Sequence, residues 1–334
     1  MARVNWRKFY CATLIHALVV VSLVWYMCMT AWRSEKHDGF GYLDALTKKC
    51  GALCRIGAGS FQPGPYFTKR TVNVDCKEIF RSKVFTLGGH EQPEAPRQIP
   101  ERFRNTYTMG GEVSISSNYF NQMYLTKTAH LPVWSESLVN NWTSLASSGE
   151  LDGNYGREIS NNLIEALKFA SGVRDGRVLV IGSEIPWVEA AALSAGAAAI
   201  VTLEYGAIKS EHPSVQTITP AQFQQKFLSG TLGVFDAIIA FSSVEHSGLG
   251  RYGDALNPWG DVLEIARAHC VCKAQGSLII AVPTTDSGDR LEFNAHRIYG
   301  RARWPYLASN WQLVTRGPAT SEDWDQRIHV FMKI

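Results

Sequence analysis

The stretch RVLVIGSEIPWVEAAALSAGAAAIVTLEYG, residues 177–206, decides the fold. RVLVIG is a short, β-branched apolar run ended by glycine, the pattern of a strand buried on both faces. Pro186 then opens an alanine-rich segment that closes at Gly196. Proline suits a helix start, where its missing N–H would have no partner anyway, and glycine suits the end. AAIVTLEYG, residues 198–206, repeats the strand pattern. Two buried strands joined by a helix predict a parallel pair.

The alternation continues outward in both directions. Upstream, Ile159, Leu163 and Leu167 recur every four residues with Ile164 alongside, predicting an amphipathic helix that ends near Ser171-Gly172. Downstream, SVQTIT (214–219), FDAIIAFSS (235–243) and GSLIIAVPT (276–284) read as strands, with a helix through VLEIARAHCVC between the last two. WQLVTR (311–316) and IHVFMK (328–333) are placed to close the sheet. The expected fold is α/β, a Rossmann-like three-layer sandwich with a mostly parallel sheet, over residues 105–334.

Ligands in such folds bind beyond the carboxyl ends of the strands, so the chemistry is sought there. Gly182-Ser183-Glu184-Ile185 follows the first strand, where a turn with free backbone N–H groups can meet a carboxylate or anion. Such a glycine also serves as plain punctuation. Glu204 ends the second strand, 22 residues beyond Gly182, a spacing at which an acidic side chain accepts both hydroxyls of an adenosine ribose. No GxGxxG turn is present, so a pyrophosphate-bearing dinucleotide fits poorly.

The densest polar segment, SSVEHSGLGRYGDALNPWGD (242–261), follows FDAIIAF and begins with Ser242 and Ser243. His246 is the natural general base for a hydroxyl proton, because its ordinary pKa lies near neutrality. Glu245 can orient it, and Arg251 and Asp254 can meet substrate. After the next strand, Asn294, His296, Arg297 and Tyr299 offer a rival base and groups for a polar or anionic substrate. An Ω-loop and structural hydrogen bonds would account for the same residue types. No Ser-His-Asp order, HExxH motif or P-loop appears.

GSEIPWVE (182–189), TLEYG (202–206), the 242–261 segment, VPT (282–284) and NAHRIYGRARWP (294–305) together resemble the nematode-rich domain of unknown function 268. That family is placed in the S-adenosylmethionine-dependent methyltransferase superfamily. The resemblance implies a class I methyltransferase fold and S-adenosylmethionine as cofactor, with Gly182, Ser183, Glu184, Ile185, Glu204, Tyr205, Ser242 and Ser243 around it. It supplies no substrate.

The amino-terminal segment speaks to location. From residue 9 to 32 there is no Lys, Arg, Asp or Glu, long enough for a helix to cross a bilayer, with aromatic residues at both ends. Arg3, Arg7 and Lys8 precede it. The net charge of +3 resides entirely in those three residues, since from Arg33 onward 30 basic and 30 acidic residues cancel. Positive charge in front of the span predicts a cytoplasmic tail (1–8), a transmembrane signal anchor (9–32) and an exported remainder. A balanced exported part argues against nucleic acid as partner.

Residues 33–104 read as a stem or irregular subdomain, with a Pro/Gly/Gln linker near 88–100. Asn141-Trp142-Thr143 is the single N-glycosylation sequon. Cys50, Cys54, Cys76, Cys270 and Cys272 follow the anchor, fitting two disulfides and one free thiol of open connectivity. A zinc site at Cys50, Cys54 and Cys76 lacks a fourth ligand, so no metal is expected. The combined expectation is a type II, single-pass membrane O-methyltransferase of the Golgi or endoplasmic reticulum, lumenal in its catalytic domain and acting on a glycan or other hydroxyl acceptor. The competing class is a membrane-anchored binding protein that kept the sheet and lost catalysis.

Overall fold

A computed structural model describes residues 20–22, 25, 42–64, 66–81, 96–120, 132–318 and 326–334. The expected tail, and the anchor apart from 20–22 and 25, lie outside the described residues, as does most of the expected linker. Among the described residues no helix is long and apolar enough to cross a membrane. The chain divides into two compact units, Met1–Lys48 and Lys49–Ile334, and the second carries all the strands found among the described residues.

That unit opens with a hairpin, β1 (Ser60–Pro63) and β2 (Thr68–Thr71), and the helices α1 (Cys76–Arg81) and α2 (Glu101–Tyr107). Strands β3 (Ser114–Ser117) and β4 (Val133–Trp134) lead into α3 (Glu136–Ser148) and α4 (Arg157–Leu167). The parallel core follows as β5 (Arg177–Ile181), α5 (Trp187–Ser194), β6 (Ala199–Leu203), β7 (Lys209–Ser210), β8 (Val215–Ile218), α6 (Pro220–Leu228) and β9 (Phe235–Phe241). The chain ends through α7 (Gly260–Val271), β10 (Cys272–Ala281), β11 (Arg290–Phe293), β12 (His296–Ile298), α8 (Trp304–Leu307), β13 (Trp311–Arg316) and β14 (Ile328–Lys333).

The main sheet has seven strands in the order β13-β14-β10-β9-β5-β6-β8. Six strands share one direction, five of them paired parallel in a row, and β14 alone is reversed, antiparallel to both β10 and β13. The expected mostly parallel α/β sheet is therefore present. Alternation along β5 builds two cores: Val178 and Val180 pack with α3, α4 and α5 on one face, Leu179 and Ile181 with α6 and α7 on the other. That is three layers, and it is why the strands read as unbroken apolar runs. Helix starts obey local chemistry. Thr219 and Gln222 close a capping box on α6, and Ser135 accepts from Leu138 N–H at 3.2 Å to cap α3.

The described part of the expected stem, from Lys49 on, is fastened to this body. Cys76 is disulfide-bonded to Cys270 at the end of α7, and Cys50 to Cys54. Arg70 on β2 is fully buried; it donates to Ser309 Oγ at 2.8 Å and lies over the Tyr306 ring at 4.3 Å. Cys272 is a free, buried thiol. Asn141 is exposed on α3, and the Thr143 hydroxyl of its sequon donates to the Val139 carbonyl. A second small sheet, β12-β11-β3, stands beyond the carboxyl end of β10. Nothing in the alternation of the sequence announced it, because its strands are three or four residues long.

Candidate functional site

The strand order reverses between β5 and β9, and a cavity of about 310 Å³ opens where they end, together with β6. Gly182 leaves β5 with φ +74°, and a Cβ there would come within 2.4 Å of Ser243 Cβ. Only glycine fits, because the backbone is left-handed and the β9 loop lies against it. Ser243 Oγ reciprocates by donating to the Ile181 carbonyl at 2.7 Å.

The turn is held to the end of β6 by Glu204. Ser183 N–H donates to one carboxylate oxygen at 2.8 Å and Tyr205 N–H to the other at 2.7 Å. Burial raises the Glu204 pKa, with those backbone donors opposing. Beneath the turn, Glu189 on α5 is fully buried and pushed up to about 7 by that burial. Thr202 Oγ1 donates to one of its oxygens at 2.7 Å, and Ser183 Oγ is 2.9 Å from the other. Ser183 Oγ also reaches the Ile185 carbonyl at 2.9 Å. Below about pH 7, where Glu189 holds its proton, the carboxyl can donate to Ser183 Oγ while that hydroxyl donates to Ile185.

The opposite wall belongs to the β9 loop. Ser242 has φ +46°, and its hydroxyl donates to Glu245 Oε1 at 2.9 Å. Glu245 is buried, its Oε2 has no hydrogen-bond partner, and burial pushes its pKa up to about 7. His246 presents Nδ1 to the Ala295 carbonyl at 2.6 Å and Nε2 to Glu245 Oε1 at 3.7 Å. Burial, reinforced by Arg251, His296 and Arg297, lowers the His246 pKa to about 3. The ring is neutral, with its Nδ1 proton on Ala295 and its Nε2 lone pair available.

The cavity is lined by Gly182, Ser183, Glu184, Glu204, Tyr205, Ser242, Ser243, His246 and Asp254, all singled out from sequence. Ile185 is displaced from it and packs against the core. Glu245 stands behind Ser242 and His246. His296 is half-buried on β12, its ring 6.3 Å from that of His246, and it does not line the cavity. Arg251 lies over the Tyr252 ring at 5.2 Å and also outside the lining.

Three residues expected to bind substrate do something else. Arg297 is buried and donates to the carbonyls of Glu245, Ser247 and Asn257. Tyr299 is buried and donates to Asp261 Oδ2 at 2.9 Å. Asn294, in the left-handed region at φ +67°, accepts from Phe120 N–H and donates to the Leu249 carbonyl. Their polar groups have partners within the protein, and those bonds brace the β9 loop. Asp254 lines the cavity yet accepts from Gly248 N–H at 2.6 Å, closing its own loop.

The hub of this scaffold is Asp261 at the start of α7. It receives Arg303 through Nε at 2.8 Å and Nη2 at 2.6 Å, as well as Tyr299, and Arg297 Nε lies 3.5 Å away. Burial alone would raise its pKa, but the two guanidiniums hold it below the usual carboxylate range.

Sequence reasoning missed the aromatic wall of Tyr155, Trp187 and Phe241, with Trp187 and Phe241 ring centroids 4.8 Å apart. Tyr155 hydrogen-bonds Ser242 from a loop far away in sequence. Glu264, which also lines the cavity, faces inward from α7 and pairs with Arg267 at 3.1 Å. The lining thus carries four carboxylates, Glu184, Glu204, Asp254 and Glu264, and no Lys or Arg among the described residues. No cluster of metal-binding side chains occurs among the described residues.

Residues 175–329 match the family described as Caenorhabditis protein of unknown function, DUF268. No curated protein matches the chain. Similar solved structures include a protein from Listeria monocytogenes assigned as an S-adenosylmethionine-dependent methyltransferase, 12% identical, covering 53% of this chain and 99% of that one, TM-score 0.35. The N-methyltransferase NodS from Bradyrhizobium japonicum, in complex with S-adenosyl-L-homocysteine, is 14% identical over 59% of this chain and 97% of that one, TM-score 0.34. A protein from Lactococcus lactis assigned as a hemolysin is also 14% identical, over 52% and 87%, TM-score 0.35.

Proposed function

We propose that the protein is a membrane-anchored methyltransferase that uses S-adenosylmethionine to methylate a hydroxyl of a glycan or other lumenal acceptor. The observation that carries this reading is the acidic lining of the cavity. Glu184, Glu204 and Asp254, with Glu264 already paired to Arg267, line it without a Lys or Arg, which favours a sulfonium cation over a pyrophosphate. The residues suit the cofactor in other respects. Glu204, its two oxygens oriented by backbone donors, keeps lone pairs for ribose hydroxyls. Gly182, Ser183 and Glu184 of the turn would meet the methionine end, and Tyr205, Ser242 and Ser243 lie on the same lining. The reversed β14, inserted between β10 and β13, supports the class I methyltransferase form of the Rossmann-like fold.

Bound there, S-adenosylmethionine would supply a methyl group already activated on sulfur. The protein's own tasks are then alignment and proton removal. His246 Nε2, with Glu245 behind it, is the group to take the acceptor proton. The lumenal placement is supported by the charge asymmetry about residues 9–32 and by two disulfides, which suit an oxidising compartment.

One observation favours the competing, non-catalytic reading: the Ser183 N–H, which a ligand would be expected to use, is taken by Glu204. Calorimetric titration of the full chain with S-adenosylmethionine separates the two. Binding at one site per chain is expected, and a folded chain that releases no binding heat ends the enzyme reading. A gel shift on Asn141→Gln tests the lumenal placement, because a glycosylated wild type migrates more slowly than the variant.

A further inference from the structure

A second concavity of about 560 Å³ lies between the β1–β2 hairpin and the segment that leaves β10. Phe61, Gln62, Tyr66, Asp286, Arg301 and Arg316 supply its chemistry, and it shares no residue with the first cavity. Phe61 is 40% exposed, with Arg70 over its ring at 5.8 Å. Arg316 lies over the Tyr66 ring at 4.9 Å, a contact that holds its guanidinium in the groove. Tyr66 is in turn held by a hydrogen bond to Thr284 and by ring contacts with Phe67, Trp304 and His329. Neither Arg301 nor Arg316 forms an ion pair among the described residues. Two guanidiniums, a partly exposed aromatic side chain and the acceptors Asp286 and Gln62 therefore meet in one groove.

We propose that this groove is a binding site for an acidic saccharide, whose carboxylate or sulfate pairs with Arg301 and Arg316 while a sugar face lies against Phe61. A planar guanidinium offers paired donors that match either anion. Asp286 accepts hydroxyl hydrogens, which a sugar ring supplies in number and a bare carboxylate or sulfate does not. The groove is of small-ligand size, too small for a duplex or a protein interface. The site does not depend on the methyl-transfer reading, and its test leaves that reading untouched.

The test is binding of the full chain to two fluorescent probes, an oligogalacturonate carrying carboxylates and a heparin oligosaccharide carrying sulfates, beside a neutral dextran fragment. At least one acidic probe should bind and dextran should not. Arg301→Gln with Arg316→Gln should weaken binding by about tenfold per arginine. Phe61→Ala should weaken it with the arginines intact, and Asp286→Asn should do the same through lost hydroxyl contacts. Each of the altered side chains is at least partly exposed, and unchanged thermal melting of each variant certifies its fold. No binding of either acidic probe overturns the proposal, as does binding unchanged in the double variant. Equal binding of inorganic polyphosphate, or tighter binding of a nucleoside diphosphate, overturns the saccharide assignment.

Discussion

His246 Nδ1 stands 2.6 Å from the carbonyl oxygen of Ala295 in the β11–β12 turn. That contact fixes the imidazole as the Nδ1–H tautomer and leaves Nε2 as the acceptor. Glu245 Oε1, 3.7 Å from Nε2, then decides how readily the ring accepts a proton. Burial holds Glu245 neutral up to about pH 7 and keeps His246 neutral down to about pH 3. Above pH 7 the new carboxylate charge favours an imidazolium beside it. Arg251, Arg297 and His296 oppose that, and Tyr155 faces Glu245 from the other wall.

Methyl transfer should therefore rise with pH through about 7, and Glu245→Gln should flatten that limb of the pH–rate profile. His246→Ala should lower kcat by about 10²–10⁴-fold, while His296→Ala leaves it nearly unchanged. Nitrogen-15 spectra of the imidazole give an independent reading, because an Nε2–H tautomer at neutral pH would contradict the assignment.

Glu204 joins the turn after β5 to the end of β6 and lines the cavity. In Glu204→Gln one acceptor oxygen becomes an NH₂ that cannot accept from a ribose hydroxyl. A loss of about 1–3 kcal/mol is expected in cofactor affinity, roughly ten- to a hundredfold. Calorimetry with S-adenosylmethionine reads it directly, and undiminished affinity would remove Glu204 from the site.

Glu189 gives a prediction about stability alone. Its pKa is raised to about 7 in the folded chain by burial, above the ordinary 4.5, so between those values the folded state binds the extra proton. Stability is then lost as pH rises through that window, by about 3 kcal/mol for this group. Glu189→Gln mimics the neutral acid, accepting from Thr202 and donating to Ser183. The variant should match wild type near pH 4 and exceed it near pH 8 in urea midpoint. Measuring the difference between the two proteins cancels the opposite slope from His246 and His329, whose pKa values burial lowers to about 3.

The parallel core was legible because β5, β6 and β9 are covered on both faces, which leaves each as a short apolar run with glycine or a polar turn behind it. Glu204 and His246 were legible as the polar residues that break those runs at the carboxyl ends. Arg297 and Tyr299 read as substrate groups in sequence, because an arginine aimed inward at Asp261 and one aimed at a ligand look alike along the chain. Tyr155 and Glu264 were invisible for the converse reason. They approach the cavity from a loop and a helix whose positions are set by packing, far from any strand end in sequence.

Asp261 tests the idea that the 294–303 segment is scaffold. It receives Arg303, Tyr299 and Arg297 at a fully buried position. Removing one side of a buried ion pair strands the other charge, so Asp261→Ala should cost about 3–5 kcal/mol. Asp261→Asn should fall between that variant and wild type, because it keeps one acceptor. Chemical denaturation measures both, and an Asp261→Ala chain as stable as wild type would restore Arg297 and Tyr299 as substrate groups.

The Cys76–Cys270 bridge tests how firmly the segment before the sheet belongs to the body. Its sequence separation is 194, and a closed loop of that length removes chain entropy worth about 5 kcal/mol from the unfolded state. The Cys50–Cys54 bridge, with a separation of 4, closes too short a loop for comparable stabilisation. Both cysteines of the long bridge must be replaced together, because Cys272 lies two residues beyond Cys270 and a lone Cys76 could pair with it. Cys76→Ser with Cys270→Ser should lower the melting temperature far more than Cys50→Ser with Cys54→Ser. Equal losses in the two double variants would mean that residues 49–81 are held to the sheet by Arg70 and its neighbours, without a material contribution from the covalent link.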